Sequence, residues 1–296
     1  MSVVINETGK GRATVAALIE RCLTSSPLAD AASEYMRFIV SGKMLRARMI
    51  LQLGDATGAE NRRLNHAGAA VEMIHAASLL HDDVIDGGSL RRGVPAFWVE
   101  HGVQGAILMG DMLMFKAIQL IRELSDSEIL DVLIDMTGNV CIAEVEQELV
   151  LRGQTGDWET SVSLARRKTG SLFAFSASAA ATTDDMRAAL KEAGYLIGTA
   201  YQLGDDILDA GGDADQAGKS LGSDRRRGKI TAATASDSNI QRTVEYIAEL
   251  CCRAEEQLDP WTELRAAWAA FMNNTINPVL KSYVENHEDR NKPERA

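Results

Sequence analysis

The chain has 296 residues, 46% of them hydrophobic, only five prolines and a formal charge of -11. That composition suits a globular protein with one large core, and the acidity excludes a general nucleic-acid or anionic-membrane binder, whose partners reward clustered Lys and Arg. No stretch is expected to reach the roughly 18 uncharged apolar residues of a membrane span, and the N-terminus lacks the pattern of an export signal. The four cysteines have neither C-x-x-C spacing nor the density of a disulfide scaffold, so a reducing cytoplasm is expected.

Long Ala-, Leu-, Met- and Glu-rich segments between short Gly, Asp or Ser breaks predict an all-α protein, and no composition shift divides residues 1–296 into domains. A first helix is predicted over about 29–56, which would put Lys43 and Arg46 of Gly42-Lys43-Met44-Leu45-Arg46 on one face. From Asn65 to Asp86 the residues Ala69, Ala70, Met73, Ala76, Ala77 and Leu80 recur at three- and four-residue steps, the pattern of a long helix with a buried face. Gly87-Gly88 should end it. Further helices are predicted over approximately 104–124, 126–151, 158–181, 185–210, 239–259 and 262–285. Between Ala210 and Ile230 runs one long polar, Gly-rich stretch, and loops of that size inside a compact domain are usually functional.

One acidic motif occurs twice, as Asp82-Asp83-Val84-Ile85-Asp86 and Asp205-Asp206-Ile207-Leu208-Asp209, each near the end of an apolar-periodic helix. In a helix the first and last aspartates of D-D-x-x-D stand one turn apart on one face, where like charges repel unless a cation lies between them. Magnesium takes a few carboxylates together with waters and phosphate oxygens, so two such motifs suit a shared diphosphate. A solvated helix end would explain one copy; two copies that each follow apolar residues are harder to explain that way. A calcium loop is disfavoured, because Val84-Ile85 and Ile207-Leu208 stand where further oxygen ligands and a glycine are required.

Cations lie in compact sets beside these motifs: Lys43 and Arg46, Arg91 and Arg92, Lys168 with Thr169, then Lys219 and Lys229. Arg grips phosphate with a two-pronged fork and Lys acts as a mobile point charge, so together they can neutralise two diphosphates. His75 precedes Asp82 by about two helical turns and should face the same way. Glu144 and Gln147 share another helical face, where they are either ordinary exposed residues or polar groups of the site.

In this order the motifs resemble the trans-isoprenyl diphosphate synthases, or polyprenyl synthetases, and particularly the medium- and long-chain members such as octaprenyl diphosphate synthases. The resemblance runs from Gly42-Lys43-Met44-Leu45-Arg46 through His81-Asp82, Arg91-Arg92-Gly93, Gly110-Asp111, Lys168-Thr169 and Gln202-Leu203-Gly204-Asp205 to Gly218-Lys219 and Gly228-Lys229-Ile230-Thr231. It implies antiparallel helices around a deep central cavity, with the two acidic motifs facing across its mouth, and a homodimer. It implies three magnesium ions, held directly or through water by Asp82, Asp83, Asp86, Asp205, Asp206 and Asp209, with Asp82, Asp86, Asp205 and Asp209 as the metal ligands. Arg91, Lys168, Thr169, Gln202, Lys219 and Lys229 would surround an allylic diphosphate, and Lys43, Arg46, His75 and Arg92 would bind isopentenyl diphosphate. Two departures stand out: Ser161 replaces a frequent tyrosine, and Thr231-Ala232-Ala233 replaces the usual Thr-Leu-Pro.

In such enzymes bulk one turn before the first motif floors the cavity. Ala77 and Ser78 are small, so the expected product is medium to long, with Ile74 and Met73 able to stop it further down. The alternatives are a short-chain farnesyl or geranylgeranyl diphosphate synthase, a terpene cyclase, and a non-catalytic subunit of a heteromeric synthase.

Overall fold

In the computed structural model, residues 2–24, 35, 36, 39, 42–91, 93–211 and 227–281 are described, the side chains of 2–9 and 211 excepted. Among them the elements are α1 (Ser2–Thr24), α2 (Leu45–Thr57), α3 (Asn61–Asp86), a two-stranded hairpin of β1 (Leu90–Arg91) and β2 (Val94–Pro95), and α4 (Phe97–Arg122). Then come α5 (Ser127–Val145), α6 (Trp158–Ala165), α7 (Ser171–Ser178), α8 (Asp184–Gly211), α9 (Ile240–Glu256) and α10 (Thr262–Phe271). Three π-helical turns, Glu146–Val150, Arg166–Gly170 and Met272–Ile276, are spliced onto these helices.

The predicted all-α class holds, and α3 lies at the centre. Its Ala- and Gly-rich surface, from Ala67 through Ala77, is buried against α1, α2, α4 and α7. Two elements depart from the sequence reading. First, α1 was not anticipated; Val15, Ile19 and Leu23, four residues apart, are fully buried and seal it to the core. Second, α2 begins at Leu45 rather than near 29, because Met44 takes a left-handed conformation with φ 45° that stops the helix from extending upstream. Lys43 therefore lies outside α2, exposed, while Arg46 is buried within it, and the two do not share a helical face.

Close helix approach depends on missing side chains. A Cβ on Gly198 of α8 would stand 2.6 Å from Gly170 Cα and 3.0 Å from Thr169 O, so glycine lets α8 press onto the π turn that carries Lys168 and Thr169. Among the described residues one helix, Phe97–Arg122, is long and apolar enough to cross a bilayer by length and composition, though Glu100, Asp111, Lys116 and Arg122 break it up, so no run of about 18 uncharged residues occurs in it. Ala106, Met109, Leu113, Ala117 and Leu120 on that helix are buried in the protein core, which accounts for part of its apolar character.

Candidate active site

The first acidic motif forms the last turn of α3. Gly87, at φ 63°, caps that helix, and Gly88 donates its N–H to Asp83 O at 3.0 Å. The hairpin then brings Arg91 back over the helix end, where its Nε donates to Asp83 Oδ1 at 3.0 Å. Burial pushes the Asp83 carboxyl above its ordinary value, with Arg91 opposing the shift. Lys168, on its π turn, pairs with Glu144 of α5. Burial disfavours the Lys168 ammonium, yet the carboxylates of Asp82, Glu144 and Asp86 outweigh it and lift its pKa above that of an ordinary lysine. Opposite them, buried Lys229 donates to Asp86 Oδ1 at 2.8 Å.

The second motif forms the end of α8, with Asp205 half-buried and Asp206 and Asp209 buried. A chain of hydrogen bonds fixes Asp206. Thr169 Oγ1 donates to Gln202 Oε1, Gln202 Nε2 donates to Asp206 Oδ1 at 2.8 Å, and the backbone N–H of Ala232 donates to Asp206 Oδ2 at 3.0 Å. Lys229 and Ala232 are neighbours on one short segment, so that segment touches the first motif at one end and the second at the other.

That segment is itself held in place. Gly153 N–H donates to Gly228 O at 2.9 Å, Gln147 Nε2 to Ile230 O at 3.0 Å, and Trp158 N–H to Asp237 Oδ1 at 2.7 Å. Gln147 thus has a buried polar role, and Glu144 is the carboxylate partner of Lys168, which settles the open reading of that helical face.

The donor chemistry fits magnesium. Carboxylates here (Asp82, Asp83, Asp86, Glu144, Asp205, Asp206, Asp209) outnumber the cations among them, and hard oxygen donors are what the ion takes. Among the described residues no three carboxylate or imidazole groups converge on one point. Arg91 holds Asp83, Lys229 holds Asp86, and Gln202 with Ala232 holds Asp206.

Of the residues assigned to isopentenyl diphosphate, Arg46 is buried with its guanidinium 4.9 Å from the Phe173 ring centre, and its Nε has no hydrogen-bond partner among the described residues. Burial lowers its pKa, against the attraction of Glu72 and Tyr201. Lys43 is exposed and His75 half-buried. Arg92 and Lys219 lie outside the described residues. Along α3, Met73, Ile74 and Ala77 are buried and Ser78 is half-buried, its hydroxyl donating to His75 O at 2.8 Å. Tyr35 donates to Ala76 O at 3.0 Å and packs edge-on against Phe97, an aromatic contact beside this turn that local spacing did not reveal.

Two further charged residues escaped the sequence reading. Arg227 lies 2.6 Å from Asp86 Oδ1 and 3.1 Å from Glu148 Oε2. Glu148 stands four residues beyond Glu144, and Arg227 ends a three-arginine run in an acidic chain, signals that become meaningful only once the fold joins them.

An all-helical fold with paired aspartate motifs meeting at one cationic segment is that of the isoprenoid synthases. The chain belongs to the polyprenyl synthetase family, whose pattern matches residues 28–260. It is 33% identical over 207 residues to a geranylgeranyl diphosphate synthase of Methanosarcina mazei, covering 66% of this chain and 64% of that protein. It is 35% identical over 198 residues to an octaprenyl diphosphate synthase of Haemophilus influenzae, covering 64% and 59%. These alignments thus span less than two thirds of either relative. A crystal structure of a polyprenyl synthase from Caulobacter crescentus, complexed with calcium and isoprenyl diphosphate, superposes with a TM-score of 0.80 at 26% identity, over 96% of this chain and 97% of the other.

Proposed function

We propose that this chain is a magnesium-dependent trans-prenyltransferase that joins an allylic diphosphate to isopentenyl diphosphate, repeatedly, releasing pyrophosphate and a linear all-trans polyprenyl diphosphate. The observation that carries the reading is the segment from Lys229 to Ala232, which bonds Asp86 of the first motif and Asp206 of the second.

Magnesium bound by Asp82, Asp86, Asp205 and Asp209 would supply positive charge to the leaving diphosphate, a role that the calcium and isoprenyl diphosphate of the Caulobacter crescentus relative support. Lys168, Lys229 and Arg91, with Thr169, Gln202 and Lys219, neutralise and orient the allylic diphosphate as its carbon–oxygen bond breaks. Lys43, Arg46, His75 and Arg92 hold isopentenyl diphosphate so that its terminal double bond attacks the allylic cation. A proton then leaves the isopentenyl C2, with the released pyrophosphate as acceptor, and a new alkene remains.

A medium-to-long product is supported by the small Ala77 and Ser78 one turn before Asp82. The relatives named above range from geranylgeranyl to octaprenyl synthases, so a short product is the competing outcome. A homodimer is supported by bare apolar surface on adjacent α4 and α5, where Leu108 is 67% exposed, Phe115 68% and Ile142 60%. The free thiols of all four cysteines agree with a cytoplasmic site of action.

The test is to incubate the purified protein with magnesium, farnesyl diphosphate and isopentenyl diphosphate and to read product masses. Polyprenyl diphosphates from the chain alone are expected. Hydrocarbons formed without isopentenyl diphosphate would reveal a cyclase, and turnover only with a second polypeptide would reveal a subunit of a heteromer.

A further inference from the structure

Glu148 and Arg227 belong to no motif, yet they sit against the first aspartate cluster with side chains only 12% exposed. Glu148 Oε2 accepts from Arg227 Nη2 at 3.1 Å and from Arg152 Nη1 at 3.3 Å. Its Oε1 lies 3.7 Å from Lys229 Nζ, beyond hydrogen-bond reach. Arg227 Nη1 lies 2.6 Å from Asp86 Oδ1 and also donates to Ile85 O, while its Nε is buried with no hydrogen-bond partner among the described residues. Two cations, Arg227 and Lys229, are therefore clamped between two carboxylates, Asp86 on one side and Glu148 on the other.

Burial sets this clamp apart from a surface ion pair, whose energy is screened away. Leaving a buried guanidinium N–H without an acceptor is costly, and a guanidinium carries five donors in a fork that matches phosphate oxygens. The two carboxylates also differ in position. Asp86 belongs to the first acidic motif at the end of α3, whereas Glu148 projects from the π turn Glu146–Val150.

We propose that Arg227 is a further diphosphate-binding residue, aimed by Glu148, whose contact with Asp86 gives way to diphosphate oxygens. This inference rests on the prenyltransferase reading above. On binding, Arg227 and Lys229 exchange the Asp86 carboxylate for diphosphate oxygens, Asp86 is freed for the metal, and Glu148 keeps the guanidinium pointing inward. Glu148 is a positioning residue in this scheme: it balances the pull of Asp86 on both cations.

Calorimetric binding of inorganic pyrophosphate to the whole protein in the presence of magnesium tests the idea without relying on turnover. Failure of the parent protein to bind pyrophosphate would count against the prenyltransferase reading itself. Given parent binding, Arg227→Gln is expected to weaken it about 10- to 100-fold, the range for losing hydrogen bonds to a charged group. Arg152→Gln, which removes an outer cation from the same cluster, should change it by less than about threefold, as expected of a solvent-exposed charge. Arg227→Lys keeps the charge but not the fork, so an intermediate loss is expected, and it carries the test should the glutamine variant not fold. Affinity of the Arg227 variants equal to the parent, or equal losses in Arg227→Gln and Arg152→Gln, would overturn the proposal.

Discussion

Lys229 Nζ lies 2.8 Å from Asp86 Oδ1, although 143 residues separate them in the chain. The contact joins the first acidic motif to the segment that also anchors the second. Asp86→Asn keeps the shape but removes the charge that Lys229 and Arg227 share. Turnover of farnesyl and isopentenyl diphosphates is expected to fall at least about 100-fold, the usual scale for losing one preorganised electrostatic group, and the magnesium requirement should rise. Steady-state assays across a magnesium series check both; parent-like kinetics would remove Asp86 from the site.

Gln202 links Thr169 to Asp206 in one half-buried chain. Gln202→Ala leaves an acceptor on Asp206 and a hydroxyl on Thr169 to find new partners, at a cost of about 1–3 kcal/mol. A drop of several degrees in melting temperature is expected, together with a larger rise in KM for the allylic substrate than for isopentenyl diphosphate. Equal rises in both KM values would mean that the chain supports the fold without orienting one substrate.

Chain length is read most directly at α3. Replacing Ser78 or Ala77 by Phe or Tyr adds bulk one turn before Asp82, and a turn of about 5.4 Å corresponds to roughly one isoprene unit. Ser78→Phe and Ala77→Tyr are each expected to shift products toward shorter chains with little loss of total turnover. Mass spectra matching the parent distribution would show that another helix sets the limit.

Burial raises the Cys251 thiol to about 11, with a smaller push from Cys252. Because the folded protein holds this proton more tightly than the unfolded chain, the associated stability is complete below the ordinary thiol pKa. It is lost as pH rises from about 9 to about 11, by about 2–3 kcal/mol in all. Denaturant titrations at pH 8 and 10.5 should show the decline, and Cys251→Ala should flatten it. An equal decline in the variant would assign the alkaline sensitivity elsewhere.

The helical class, the long α3 and both aspartate motifs were legible because each depends on residues within a few turns of one another. The start of α2 was not, since the left-handed Met44 interrupts a sequence whose composition favours helix throughout. Nor was α1 foreseen, whose Val15, Ile19 and Leu23 stripe is short and gains its meaning only against α3. Lys168 and Lys229 could be singled out as cations, but not their separate anchors on Glu144 and Asp86. Arg227 and Glu148 are 79 residues apart, and no local pattern pairs them. Gly198, silent in the sequence, matters because its missing Cβ is where two helices nearly touch.

The π turns at Glu146–Val150 and Arg166–Gly170 confine the effect of a single-residue deletion there to the polar side chains that they carry. Each turn accommodates a surplus residue, and an α-helix advances about 100° per residue. Deleting one residue from 166–170 would let the helix rewind into ordinary register with its flanks still in phase, so that only the side chains of the turn itself are re-aimed. A shorter, more regular polypeptide of nearly identical composition would then present the Lys168 ammonium to a different neighbour, so this stretch of the gene should tolerate substitution more readily than loss.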